Sequence, residues 1–299
     1  MTIINEDDME QWGLVLAWYD EYTKGRGKKN YVAKINFLKE YSLKAFCISF
    51  SELDQMSEED RNHFFNLLEE NNMFVSPHCS FDNLTGTKSE IDDQIESVKQ
   101  QIKKYIKSLR TPIVTATCGQ SHRYDRVMSF SEKVKKFSYF FEPVAAACRE
   151  EGAVLALENH ADYYCSEIVE IIEETPDLFF LLDTANALHI GEQPVKAARD
   201  AAPYTVGTHF KDHYMVREDS PLHYEIRGCA LGDGDAELEE CYRILKENSP
   251  FGNKLIHFIE LFKPEDLTAM ECWHKSLHFI DELKEQYNGV NKFIAKEEK

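Results

Sequence analysis

The chain has 299 residues, 43% of them hydrophobic, and a formal net charge of −19. That is enough apolar material for one large domain or two ordinary ones, and no apolar run reaches the roughly 18 residues a membrane span needs. The acidic balance argues against nucleic acid or an anionic membrane as partner. The N-terminal MTIINEDDMEQ lacks the apolar core of a secretory signal, so the expectation is a cytoplasmic protein. Cysteines at 47, 79, 118, 148, 165, 229, 241 and 272 include no C-x-x-C pair and read as small, reduced core residues.

Taken in chain order, short apolar runs alternate with amphipathic stretches. GLVLAWYD (13–20) is followed by a helical pattern over 31–41 with Val32, Ile35, Phe37 and Leu38. KAFCISFS (44–51) precedes a helix over 58–71, and MFVSPHCS (73–80) precedes one over 90–109. In the latter, Ile91, Ile95, Val98, Ile102 and Ile106 recur nearly a turn apart, the mark of one buried helix face. PIVTATCG (112–119) leads to a helix over 130–150, and AVLALENH (153–160) to one over 166–174. LFFLLDTAN (178–186) leads to a shorter helix at 194–200, TVGTHFKDH (205–213) to one over 236–247, and KLIHFIELF (254–262) to one over 265–285.

Each run has strand length and is almost continuously apolar before its end, as strands covered on both faces are. Eight strands alternating with eight helices predict an α/β fold, a single (β/α)8 barrel over residues 1–299 with a tail at about 289–299. The competing doubly wound sheet normally carries a glycine-rich phosphate loop after its first strand, and the GRG here is too short for one.

In such a barrel the chemistry sits at the C-terminal strand ends. Read in order, those ends offer His78, then Glu158, Asn159 and His160, then Asp183 and Asn186, then His209, Lys211 and Asp212, and last Glu260. Glu158, Asp183, His209 and Glu260 come from four consecutive strands. Three carboxylates and one imidazole form a hard donor set, suited to one divalent ion, Mn²⁺ first and Mg²⁺ or Co²⁺ next. His160 lies two residues beyond Glu158, on the same side of an extended strand, and is a candidate base or donor. His78, Lys211, Asp212 and Arg227 are candidate substrate contacts. Glu52, His122, His189 and His213 carry no assignment, and Trp18 and Phe50 read as core.

The segments LALENH, LLDTANAL, GTHFKDH and FIELF, with RGCALGDGD (227–235), resemble the xylose-isomerase-like barrels. That family includes sugar and sugar-phosphate isomerases and epimerases, inosose dehydratases and endonuclease-type relatives. The resemblance implies a metal held by Glu158, Asp183, His209 and Glu260, with Glu158 and Glu260 as the acid/base pair. It implies proton abstraction beside the carbonyl of a keto-sugar or sugar derivative, giving isomerisation or epimerisation. The E-N-H ending also resembles the large subunit of C-glycoside deglycosidases, lyases acting on 3-oxo-glycosides with His160 as candidate base. Such enzymes are oligomers with a small second subunit. A sugar-binding scaffold without catalysis is the non-enzymatic alternative.

Overall fold

The computed structural model describes residues 10–15, 30–217, 219 and 223–297, with only the backbone given for residue 30 and from 288 onward. The strands are β1 (Gln11–Leu14), β2 (Ala45–Ser49), β3 (Phe74–Ser80), β4 (Ile113–Thr117), β5 (Val154–Glu158), β6 (Leu178–Asp183), β7 (Thr205–Phe210), β8 (His213–Arg217), β9 (Tyr224–Gly228) and β10 (Ile256–Ile259). All but β8 and β9 close into a parallel barrel, each strand beside its chain neighbours and β10 sealed against β1. This is the TIM barrel expected from the alternation of runs.

The helices are α1 (Asn30–Glu40), α2 (Phe50–Gln55), α3 (Glu58–Glu70), α4 (Lys88–Leu109), α5 (Phe130–Glu150), α6 (Cys165–Glu173), α7 (Asn186–His189), α8 (Pro194–Ala201), α9 (Leu238–Asn248) and α10 (Ala269–Glu297). Local chemistry starts several of them. Thr87 with Glu90, and Ser129 with Glu132, form reciprocal capping boxes that satisfy the first free amides of α4 and α5. The apolar stripe of α4 is buried from Ile91 to Leu109.

Four expectations are corrected. The first strand lies at Gln11–Leu14, earlier than the run 13–20, and residues 16–20, including Trp18, lie outside the described residues. Phe50 begins α2 rather than ending a strand, because Ser49 and Glu52 form a capping box there. An antiparallel ribbon, β8 with β9, grows from the end of β7 where the sequence reads as loop. The last helix also runs on to Glu297, through most of the stretch read as a tail.

The period-two register positions the site. Ala45, Phe74, Ile113, Val154, Ala156, Leu181, Ile256 and Phe258 form one apolar cluster that fills the barrel. The outward residues between them, such as Leu155, Phe180 and Ile259, join the larger core beneath the helices. Continuing the inward register toward the strand C-termini gives Glu158, Asp183, His209 and Glu260. Gly207 permits close strand approach, since a Cβ there would lie 2.7 Å from the Ile256 carbonyl oxygen.

Candidate active site

Glu158 ends β5, Asp183 ends β6, His209 lies on β7, and Glu260 follows β10, where its amide donates to the Phe210 carbonyl at 3.0 Å. Ligand atoms of Glu158, Asp183 and His209 all fall within 4.8 Å of one another. His209 Nδ1 is 3.2 Å from Glu158 Oε1 and 3.5 Å from Glu260 Oε2, which brings the fourth residue to the same group. Glu158, His209 and Glu260 line a cavity of about 280 Å³ that also meets Cys47, Glu52, His78, Thr115 and His160. A larger hollow of about 940 Å³ lies at the opposite end of the barrel, lined by Glu10, Trp12 and Lys284 among others, and receives none of these groups.

Each member is held by its neighbours. Asp183 Oδ1 accepts from the amides of Ala185 and Asn186, both at 2.9 Å, leaving Oδ2 to face the cluster. Asn159 points outward and ties β5 to β6, donating to the Asp183 carbonyl at 3.0 Å and accepting from its amide at 2.8 Å. Asn186 donates to Glu158 Oε1 at 3.4 Å and to the Asn159 carbonyl at 3.0 Å. Asn186 was visible at a strand end, but its bridging role depends on the turn folding back over β5. Cys47 went unread as a site residue because a cysteine in an apolar run is usually core.

The donor set fits a divalent ion. Both ring nitrogens of His209 and Oδ2 of Asp183 are buried without an aligned hydrogen bond. Buried polar atoms left so are costly unless something pairs with them. Among the protein groups, Lys211 Nζ faces Asp183 Oδ2 at 2.7 Å and Glu260 Oε2 at 3.5 Å. Burial opposes ionisation of Glu158, but the charges of His209, His160 and Lys211 prevail and hold its carboxyl at about 2. Burial acts the other way on the net result at Glu260, raising it with help from the Asp183 and Glu158 charges. Burial lowers the tendency of His209 to take a proton, yet the facing Glu158 carboxylate pushes it well up.

The remaining candidates divide. His78 lies on the cavity with its Nδ1 3.1 Å from Thr115 Oγ1, and burial lowers its affinity for a proton. His160 lines the same cavity, its amide donating to Asp162 Oδ1 at 3.1 Å. Asp212 has a different occupation: its carboxylate accepts from the amides of Gly232 and Gly234 at 3.0 Å and of Ala236 at 3.2 Å. Arg227 stands exposed on β9, its Nε donating to Glu225 Oε2 at 2.6 Å. Of the unassigned residues, Glu52 caps α2, and His189 Nε2 lies 3.1 Å from His213 Nδ1.

The model of the family described as xylose isomerase-like TIM barrel matches residues 35–277. Among solved structures, L-ribulose 3-epimerase is similar with a TM-score of 0.69 at 12% identity, covering 96% of this chain and 98% of that one. The IOLI protein, solved with a bound zinc atom, gives 0.65 at 16% identity over 93% of this chain and 99% of that one. The probable 3-DHS dehydratase AsbF of Bacillus anthracis gives 0.63 at 14% identity over 84% and 93%. At these identities the likeness is one of fold. No curated protein matches the sequence.

Proposed function

The chain belongs to the xylose isomerase-like TIM barrel family, and from that premise we propose a divalent-metal-dependent enzyme that moves a proton beside the carbonyl of a keto-sugar or sugar derivative. The family's sugar isomerases, epimerases and dehydratases share this kind of chemistry. The observation that carries the reading is the convergence of Glu158, Asp183, His209 and Glu260 on one another, three of them lining one cavity. A bound ion, Mn²⁺ before Mg²⁺ or Co²⁺, would supply Lewis acidity toward a substrate oxygen.

The chain's own groups supply the proton traffic. Glu158 is held ionised and Glu260 is pushed toward its protonated form, although both face one cavity. Two carboxyls with opposed acidities form the usual arrangement for taking a proton on one side and returning it on another. With Glu158 and Glu260 as the pair, the outcome is isomerisation or epimerisation.

A second reading rests on His160, which lines the same cavity. With His160 taking the proton beside the carbonyl, a carboxyl is left to protonate a departing β-substituent, as in a dehydratase or a deglycosidase acting on 3-oxo-glycosides. The latter would work as an oligomer with a small second subunit.

The test is a screen of chelator-treated protein reloaded with Mn²⁺, Mg²⁺, Co²⁺ or Zn²⁺. Keto-sugars, sugar phosphates and 3-oxo-glycosides would be followed for turnover and for solvent deuterium entering beside the carbonyl. Exchange that requires metal and is lost in both Glu158→Gln and Glu260→Gln supports the reading. Turnover unaffected by chelator would refute it.

A further inference from the structure

The ligand set contains a cation of its own. Lys211 follows His209 by two residues, so its side chain enters the barrel in the same register. Its ammonium is buried, with the side chain 6% exposed, and lies 2.7 Å from Asp183 Oδ2 and 3.5 Å from Glu260 Oε2. Those are the oxygens of two of the four candidate metal ligands. Asp183 has no spare acceptor to offer in exchange, because Oδ1 is held by the Ala185 and Asn186 amides.

The backbone beneath this lysine cannot follow it. Lys211 donates its amide to Thr184 Oγ1 at 2.9 Å, and the same hydroxyl donates back to the Lys211 carbonyl at 2.6 Å. Any rearrangement therefore falls on the four-carbon stem, which is flexible by nature. The stem ends beside the half-exposed Phe262, whose ring centre is 5.5 Å from Nζ, and a displaced ammonium would move toward that ring.

We propose that Lys211 is a built-in competitor for the metal: its ammonium holds the Asp183–Glu260 edge of the ligand set and has to yield that edge when a divalent ion binds. This deepens, and rests on, the metal-dependent reading given above. Three ionised carboxylates would carry a charge of three negatives, and a site of that charge would hold a divalent ion very tightly. A like charge at contact distance opposes that ion strongly in a buried setting. Lys211 thus sets metal affinity and exchange, and a metal-loaded site presents a displaced ammonium to the substrate.

The test is a titration of chelator-treated full-length protein with Mn²⁺, reading free ion by electron paramagnetic resonance. Lys211→Gln and Lys211→Met, which remove the charge, are expected to bind Mn²⁺ at least about 10-fold more tightly than wild type. Lys211→Arg, which keeps the charge, is expected to show no such gain. Lysine acetylation in the wild-type protein, mapped by mass spectrometry, gives a measurement independent of variant folding. Labelling of Lys211 should rise several-fold on Mn²⁺ saturation, while labelling of a surface control such as Lys104 stays constant. Neutral variants that bind Mn²⁺ no better than wild type, or Lys211 labelling that ignores Mn²⁺, would overturn the proposal and leave the metal reading standing. Absence of Mn²⁺ binding in wild type and all Lys211 variants alike would overturn both.

Discussion

Asp212 and His160 show how residues near one another in a sequence pattern part company in their work. Asp212 stands at a strand end, which makes it a candidate substrate contact. Its carboxylate instead gathers three backbone amides of the 232–236 loop. Asp212→Asn keeps one acceptor and turns the other into a donor facing amides. Burying mismatched polar groups costs about 1–3 kcal/mol, so the variant should unfold at lower urea and be cut faster by protease in that loop. An unchanged urea midpoint would mean the loop is held by something else. His160 is the opposite case, a side chain that bonds little and lines the cavity. If it is the base, His160→Ala should keep its metal and fold and lose roughly 10²-fold in turnover, the scale of general acid–base catalysis. Deuterium exchange should fall in step. Exchange at the wild-type rate would move the base role to Glu158 or Glu260.

At the scale of elements, the β8–β9 ribbon is where a small change should reach the site. Gly228 ends β9 against the backbone of Phe262, and a Cβ there would sit 2.0 Å from the Phe262 carbonyl oxygen. Neither partner is the free end of a side chain, so Gly228→Ala must push the ribbon off the segment that carries Glu260. Overpacking of this kind costs about 1–3 kcal/mol. The expected result is a lowered melting temperature together with weaker Mn²⁺ binding, and a variant with normal values for both would show the contact to be slack. The ribbon itself was not legible in the sequence. HYMVR and YEIRG are only five residues each, and apart from buried His213 they hold half-buried and exposed residues, largely in alternation, so no continuous apolar run marks them as the barrel strands are marked. The barrel strands were legible for the opposite reason: in Val154–Ala156–Glu158 the inward column stays apolar until it reaches the mouth, then turns to a charge no core would tolerate. Whether a strand-end charge meets metal, as Asp183 can, or backbone, as Asp212 does, depends on loops whose return path no local pattern records.

The whole molecule divides into an end that gathers the candidate site and an end that holds the barrel shut, and the second has its own buried charge. Glu10, just before β1, faces His257 Nε2 at 2.7 Å and accepts from the Tyr242 hydroxyl at 2.8 Å, with Lys246 Nζ at 3.5 Å. His257 Nδ1 lies 2.8 Å from Thr208 Oγ1, and Trp12 stacks on the imidazole with ring centres 4.6 Å apart. One carboxylate thereby joins the first strand, the last strand, β7 and α9, across the seam where the barrel closes. Burial alone would raise the Glu10 carboxyl, but His257, Lys246 and Tyr242 outweigh it and hold it at about 2, against 4.5 when free. A depressed carboxyl stabilises the fold fully above its unfolded value, and that stability is lost as pH falls through the folded one. The window here is therefore pH 4.5 down to about 2. A shift of this size corresponds to at most about 3 kcal/mol. Glu10→Gln should lose stability of that order at pH 7 and show a shallower fall in urea midpoint across the acid window. Mn²⁺ binding at pH 7 should stay at the wild-type level, since the candidate metal ligands lie at the other mouth. If the variant keeps the wild-type acid slope, the seam is not held by this carboxylate, and the acid sensitivity belongs to other groups such as His213, whose burial beside Lys211 lowers it to about 3.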